Sequence, residues 1–208
     1  MLRIAACLLS SLATLALVRQ DPATEPPLQM KLHMDGQQFA LVPGVETEIA
    51  IGDRRSKVKI VVEPHRHFQG AGIEFDYPAE MAFEYEGGAP EMWTLDGANV
   101  VVHVHRHGTG KARPMMRATL TGMLATLDEE AKPPERSELT LGATKREVLI
   151  GKASVGPATI CVTAIGIDVG DDAIVLMVQD TLADDGSQSA ECKRVLEVLA
   201  KTFKLTAK

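Results

Sequence analysis

The 208-residue chain has little aromatic content: one Trp, two Tyr and five Phe, 4% of the total. Its three cysteines show no CxxC spacing, so thiolate metal motifs and thioredoxin-like redox pairs are excluded. Excess positive charge is also missing. A formal charge of -6 and a pI near 5.5 argue against a nucleic-acid protein, which needs a basic face to displace counterions, and against an anionic membrane surface as a partner. Collagen-like, coiled-coil and low-complexity compositions are absent, and no internal repeat is evident. What remains is 45% hydrophobic and 24% charged, the composition of a globular domain.

The first twenty residues read as a signal peptide. Arg3 supplies a positive start, and Ile4 to Val18 is an uncharged apolar run. That run is too short to cross about 30 Å of hydrocarbon as a helix, and Arg19, Gln20 and Asp21 end it. Cys7 lies at the beginning of the run, which does not suit a lipidated cysteine. Removing residues 1–20 takes away two arginines and no acid, so the formal charge moves from -6 to -8. Export to the periplasm or outside the cell is therefore expected, with no membrane span in the mature form. In an oxidising compartment Cys161 and Cys192 would be either a disulfide or two buried thiols.

Residues 21–29, with three prolines and no periodicity, read as an extended tether, and a single domain is expected over 30–208. From Met30 to His107 apolar and polar residues alternate between Gly, Pro and Asp punctuation, predicting strands near 30–34, 38–42, 46–51, 57–64, 72–77, 81–86, 91–95 and 99–107. Asp96-Gly97 predicts a tight hairpin that sets Trp93 across from Val100. Pro114 opens a predicted helix whose stripe is Met116, Leu120, Met123, Leu124 and Leu127. Residues 128–138 read as a polar loop. Strands follow near 145–154, 158–167 and 172–179, and a last helix over 187–202 carries the stripe Cys192, Val195, Leu196, Leu199 and Phe203. The class is α+β.

The carboxyl-terminal part, with two long strands, the acidic turn Asp184-Asp185-Gly186, the last amphipathic helix and the ending Lys201-Thr202-Phe203-Lys204-Leu205, resembles the PsbP-like α/β/α domains of exported bacterial and thylakoid-lumen proteins. Tyr77-Pro78 after the Ile73-Glu74-Phe75 strand is similar to the strand and Tyr-Pro of that family. Where many members carry Trp shortly afterwards, this chain has Met81. The resemblance covers residues 70–208. It implies a single antiparallel sheet flanked by helices and a non-enzymatic accessory role; the amino-terminal β segment has no counterpart in that family and is expected as a β-hairpin extension. It transfers no functional residue.

Histidine placement is the feature that points to chemistry. Five of the six histidines fall in two alternating tracts, His65-Arg66-His67 and His103-Val104-His105-Arg106-His107. On a strand, alternation puts each set on one face, with i and i+2 about 7 Å apart and three in a row spanning about 13 Å. Two such imidazoles can hold one Zn, Cu or Ni ion, and the rest of the shell must come from elsewhere. In this reading His65 and His67 share a face with Glu63, Lys59 and Lys57, and Glu74 or Asp76 acts as ligand or as acceptor of an imidazole N–H. The bland alternative is that both tracts are solvated strand faces. A third is pH sensing by clustered imidazoles.

Other signatures fail. Gly108-Thr109-Gly110-Lys111 lacks the first glycine and the Ser/Thr of a phosphate loop, and Ser154 is off the nucleophile-elbow spacing. Asp168, Asp171 and Asp172 form an acidic turn without EF-hand spacing. The expectation is an exported, non-enzymatic binding or accessory protein whose partner is an envelope protein or a small ligand. The alternative is a histidine-rich metal-binding protein, and the third reading is a metal-dependent hydrolase.

Overall fold

A computed structural model describes residues 30–206, so the expected leader and tether lie outside the described residues. The chain divides into two compact units at Val62/Glu63, within what the sequence reading takes as one domain.

The first unit holds two antiparallel hairpins where one was expected. Strand β1 (Met30–Met34) pairs with β2 (Gln37–Leu41), and β3 (Glu46–Ile51) pairs with β4 (Arg54–Lys59). Asp35 and Gly36 both take positive φ, the conformation a two-residue primed turn requires. Leu41 and Ile49 are the buried residues of this unit's core. Because β4 ends at Lys59, the expected continuous strand carrying Lys57, Lys59 and His65 on one face does not form.

The second unit is built on a seven-stranded, wholly antiparallel sheet in the order β10-β11-β12-β13-β9-β8-β7. Its strands are β7 (Ala82–Glu86), β8 (Glu91–Asp96), β9 (Val100–Thr109), β10 (Glu135–Leu141), β11 (Thr144–Val155), β12 (Ala158–Val169) and β13 (Asp172–Thr181). A separate three-stranded sheet joins β5 (His65–Gly70), β6 (Ile73–Pro78) and the short β14 (Lys204–Leu205). The α+β class and the predominance of antiparallel pairing are as expected, but the single sheet is not: the described residues form four sheets. Strand β10 lies where a loop was expected. Its apolar residues Leu139 and Leu141 alternate behind a charged start, so the polar sequence and nearby prolines masked it.

Helices cover both faces of the large sheet. Helix α1 (Ala112–Leu127) buries Met116, Leu120 and Leu124 against Leu149, Val162, Ala164, Val175 and Met177. Helix α2 (Ala190–Thr202) buries Cys192, Val195 and Leu199 in the other core, with Phe68, Phe75, Val102, Val104 and Leu176. The Ser189 side chain caps α2 by accepting from the Cys192 N–H at 3.0 Å. Lys111 at the start of α1 offers no side-chain cap, and Asp168 of β12 substitutes by accepting from the Ala112 N–H at 2.9 Å. Two glycines let α1 lie close: a Cβ on Gly151 would run into the Leu124 side chain, and one on Gly166 would stand 3.0 Å from the Ala112 carbonyl oxygen.

The hairpin expected at Asp96-Gly97 is present with its turn displaced. Gly97 N–H donates to the Val100 carbonyl at 2.9 Å, so Ala98 and Asn99 form the turn and Trp93 pairs with Val104 rather than Val100. The Glu191 carboxylate of α2 accepts from the N–H groups of Ala98 and Asn99, at 3.1 and 2.7 Å, and so fastens this turn to the helix.

Candidate functional site

Strand alternation puts Val100, Val102 and Val104 into the core beneath α2 and turns His103, His105 and His107 to the face that carries α1. Helix α1 packs on β11, β12 and β13, and β9 is the next strand out. The histidine row therefore runs along the flank of the helix and is half-buried, not a solvated strand face. Its ring centroids are spaced 6.0 Å apart, His105 lying nearly parallel to His107 at 19° and at 73° to His103.

Neighbouring strands complete the surroundings. His105 is flanked by Met92 of β8 and Val175 of β13, and His103 by Thr94 and Met177. The two outer rings are tied to hydroxyls: Thr94 Oγ1 lies 3.2 Å from His103 Nδ1, and Thr119 Oγ1 of α1 lies 3.2 Å from His107 Nε2. The central ring is not. His105 Nε2 is buried without a hydrogen-bond partner.

Burial lowers the pKa of all three. For His105 the loss of water is reinforced by repulsion from His103 and His107, which takes it down to about 4. For His103 desolvation outweighs the attraction of Asp96, and for His107 desolvation alone acts. Burial thus favours the neutral form along the row, and the buried Nε2 of His105 is left without a partner.

The first tract is built differently. His65 and His67 lie on β5, on the face opposite the buried Phe68. His67 Nδ1 is 2.7 Å from Asp76 Oδ1 and its Nε2 is 3.8 Å from Glu74 Oε2, so the carboxylates expected on the next strand do meet an imidazole. Phe68 and Val102 belong to one core, and each tract faces away from it, so the structure does not bring His65 and His67 together with His103, His105 and His107. Among the described residues no three His, Cys, Asp or Glu side chains are grouped so that they could hold a metal ion.

The remaining candidates have structural partners. Cys161 and Cys192 are free and buried rather than bridged, beside the buried Asp180. Asp168 caps α1, and Asp172 accepts from Arg106 at 2.7 and 3.0 Å. Ser154 donates its N–H to Asp128. A cavity of about 560 Å³ between the end of α1 and strands β11 and β12 contains none of the five histidines.

An outermost strand of the large sheet carries a further surface feature. All five residues of β7 are exposed, with Phe83 and Tyr85 at 48% and 54%, although the strand is the edge of the large sheet. Phe83 and Tyr85 pair with Leu95 and Trp93, so they extend the side of the sheet that holds the α2 core, and the Tyr85 ring is 5.2 Å from Trp93. Glu84 and Glu86 point to the other side. The signal available in sequence was the pattern Phe-Glu-Tyr-Glu, which does not by itself distinguish an edge strand from an inner one.

Fold and site together define an α+β protein with a seven-stranded antiparallel sheet, helices on both faces, a neutral histidine row and an exposed aromatic edge. No family model matches the chain, and no curated protein does. Solved structures similar to it include the Ran-binding protein Mog1p of Saccharomyces cerevisiae, at 11% identity and a TM-score of 0.45 over 68% of this chain and 95% of that one. LpqN of Mycobacterium tuberculosis, described as involved in cell envelope biogenesis, matches at 14% identity and 0.39 over 78% and 91%. A Bacteroides thetaiotaomicron chain matches at 13% and 0.44 over 70% and 50%. At these values none transfers a residue or an activity.

Proposed function

We propose that this chain is an exported, non-enzymatic binding or accessory protein with a PsbP-like α/β/α domain, and that it engages an envelope partner along the β7 edge. The observation that carries this reading is the exposure of Phe83 and Tyr85 on a strand whose outer edge bears no strand among the described residues. Unpaired N–H and C=O groups on such an edge are a template for strand addition, which natural proteins usually blunt with lysine, proline or a bulge. Here the edge presents aromatics on one side and glutamates on the other. The complementary occupant is an extended partner segment that alternates apolar with basic residues, its cations meeting Glu84 and Glu86.

The test uses the single tryptophan, which stands beside Tyr85. The full chain is titrated with a short synthetic peptide alternating lysine and valine, and Trp93 emission is followed. A saturable change is expected, weakened by added salt and by the paired change Glu84→Lys, Glu86→Lys. Equal response to a peptide alternating glutamate and valine, or no response, overturns the reading.

A further inference from the structure

We infer that the β9 row and the facing β8 methionine form a soft-metal site, with Nε2 of His103, Nε2 of His105 and the thioether of Met92 as a three-coordinate set for Cu(I). It rests on a different observation from the β7 edge, although Glu86 of β7 pairs with Met92 on the same face. The central observation is the buried, unpartnered Nε2 of His105, a polar atom whose lone pair or proton has nothing to meet in the folded chain.

Geometry selects the partners. An imidazole nitrogen lies about 1.1 Å from its ring centroid and a metal about 2.0–2.1 Å beyond it, so two rings on one ion have centroids at most about 6.4 Å apart. His103 and His105 stand at 6.0 Å, within that reach once the rings turn toward each other. Thr94 holds His103 through Nδ1 and leaves its Nε2 free, the outer-sphere arrangement that orients ligating imidazoles. His107 has its Nε2 engaged by Thr119 and is left outside the set. Met92 pairs directly with His105, and paired residues on neighbouring strands share a face with Cβ atoms about 4.5–5.5 Å apart.

The donor chemistry selects the ion. Thioether sulfur favours Cu(I), whereas Zn²⁺ and Ni²⁺ favour harder or more numerous ligands. Val175 and Met177 line the sheet beside the two rings, and both are buried. On a half-buried face, neutral ligands are less costly for a singly charged ion than for a doubly charged one. The carboxylate acting on His103 is Asp96, which pairs with Val101, two residue pairs beyond the Thr94–His103 pair.

The full chain is titrated anaerobically with Cu(I) against a chromogenic Cu(I) chelator, and separately with Zn²⁺, while a thermal melt of each variant checks folding. One equivalent of Cu(I) is expected, bound more tightly than Zn²⁺. Met92→Leu keeps the shape of the site and should weaken Cu(I) about tenfold or more while leaving weak Zn²⁺ binding unchanged; Thr94→Val should weaken it by about tenfold through the His103 ring. His65→Ala with His67→Ala should change nothing. Absence of saturable Cu(I) binding, full retention of affinity in a folded Met92→Leu chain, or tighter binding of Zn²⁺ overturns the inference.

Discussion

Acidification should destabilise this fold well before its carboxylates protonate, because the histidine row is folded in its neutral form. The sign follows from proton counts. The unfolded chain takes up protons on these imidazoles near the ordinary value of 6.5, while folded His105 resists until about 4. Between those limits the unfolded state binds more protons, so stability is full above pH 6.5 and falls as pH drops toward 4. At about 1.36 kcal/mol per pH unit, one such group has a ceiling of about 3.4 kcal/mol. Half-exposure of the ring and screening reduce the expected contribution of His105 to about 1.5–2.5 kcal/mol. His103 and His107 act in the same direction, since burial lowers both.

The groups facing His105 sharpen the test. Met92 and Val175 beside it do not titrate, and along its own strand it meets only His103 and His107. Urea unfolding followed by Trp93 emission at steps from pH 7 to 4.5 measures the slope. In His105→Val, a strand-compatible change, the slope should fall by close to one proton. Equal slopes in the two chains would refute the account of why the row is neutral.

Gly151→Ala should force Leu124 from its place under α1 and cost about 1–3 kcal/mol, read by thermal or urea unfolding, while Gly156→Ala, in an open turn at positive φ, tests backbone strain alone and should not be relieved by shortening Leu124. Cys192 is held up to about 12 by burial first and by Asp180 next, and Cys161 is raised by burial, so the reduced native chain should resist alkylation at pH 8 and both thiols should react once it is unfolded. Rapid labelling of either thiol without unfolding would contradict the buried placement.

Much of the architecture was legible in sequence because local periodicity carries it. The α2 stripe of Cys192, Val195, Leu199 and Phe203 and the alternation of Val100, Val102 and Val104 with histidine along β9 follow from helix and strand geometry alone. The break between β4 and β5 was not, since the alternation of Lys57 to Ile60 runs directly into the apolar Val61 and Val62 and reads as one strand, and neither was β10, whose charged residues look like loop. Turn register slipped at Gly97 because a contact from Glu191, 92 positions from Asn99, holds Ala98 and Asn99 in the turn.

By itself the sequence determined that His103, His105 and His107 share one face and that His65 and His67 share another, because side chains on a strand repeat every second residue. Only the tertiary structure decided what those faces meet. Strand order placed β9 beside α1 and set Met92 and Thr94 against the row, and the core containing Phe68 and Val102 separated the two tracts. Strand order also left β7 at the edge with its aromatics uncovered. Periodicity along a strand specifies direction; the identity of the neighbour depends on pairings between residues remote in sequence, and no local pattern encodes them.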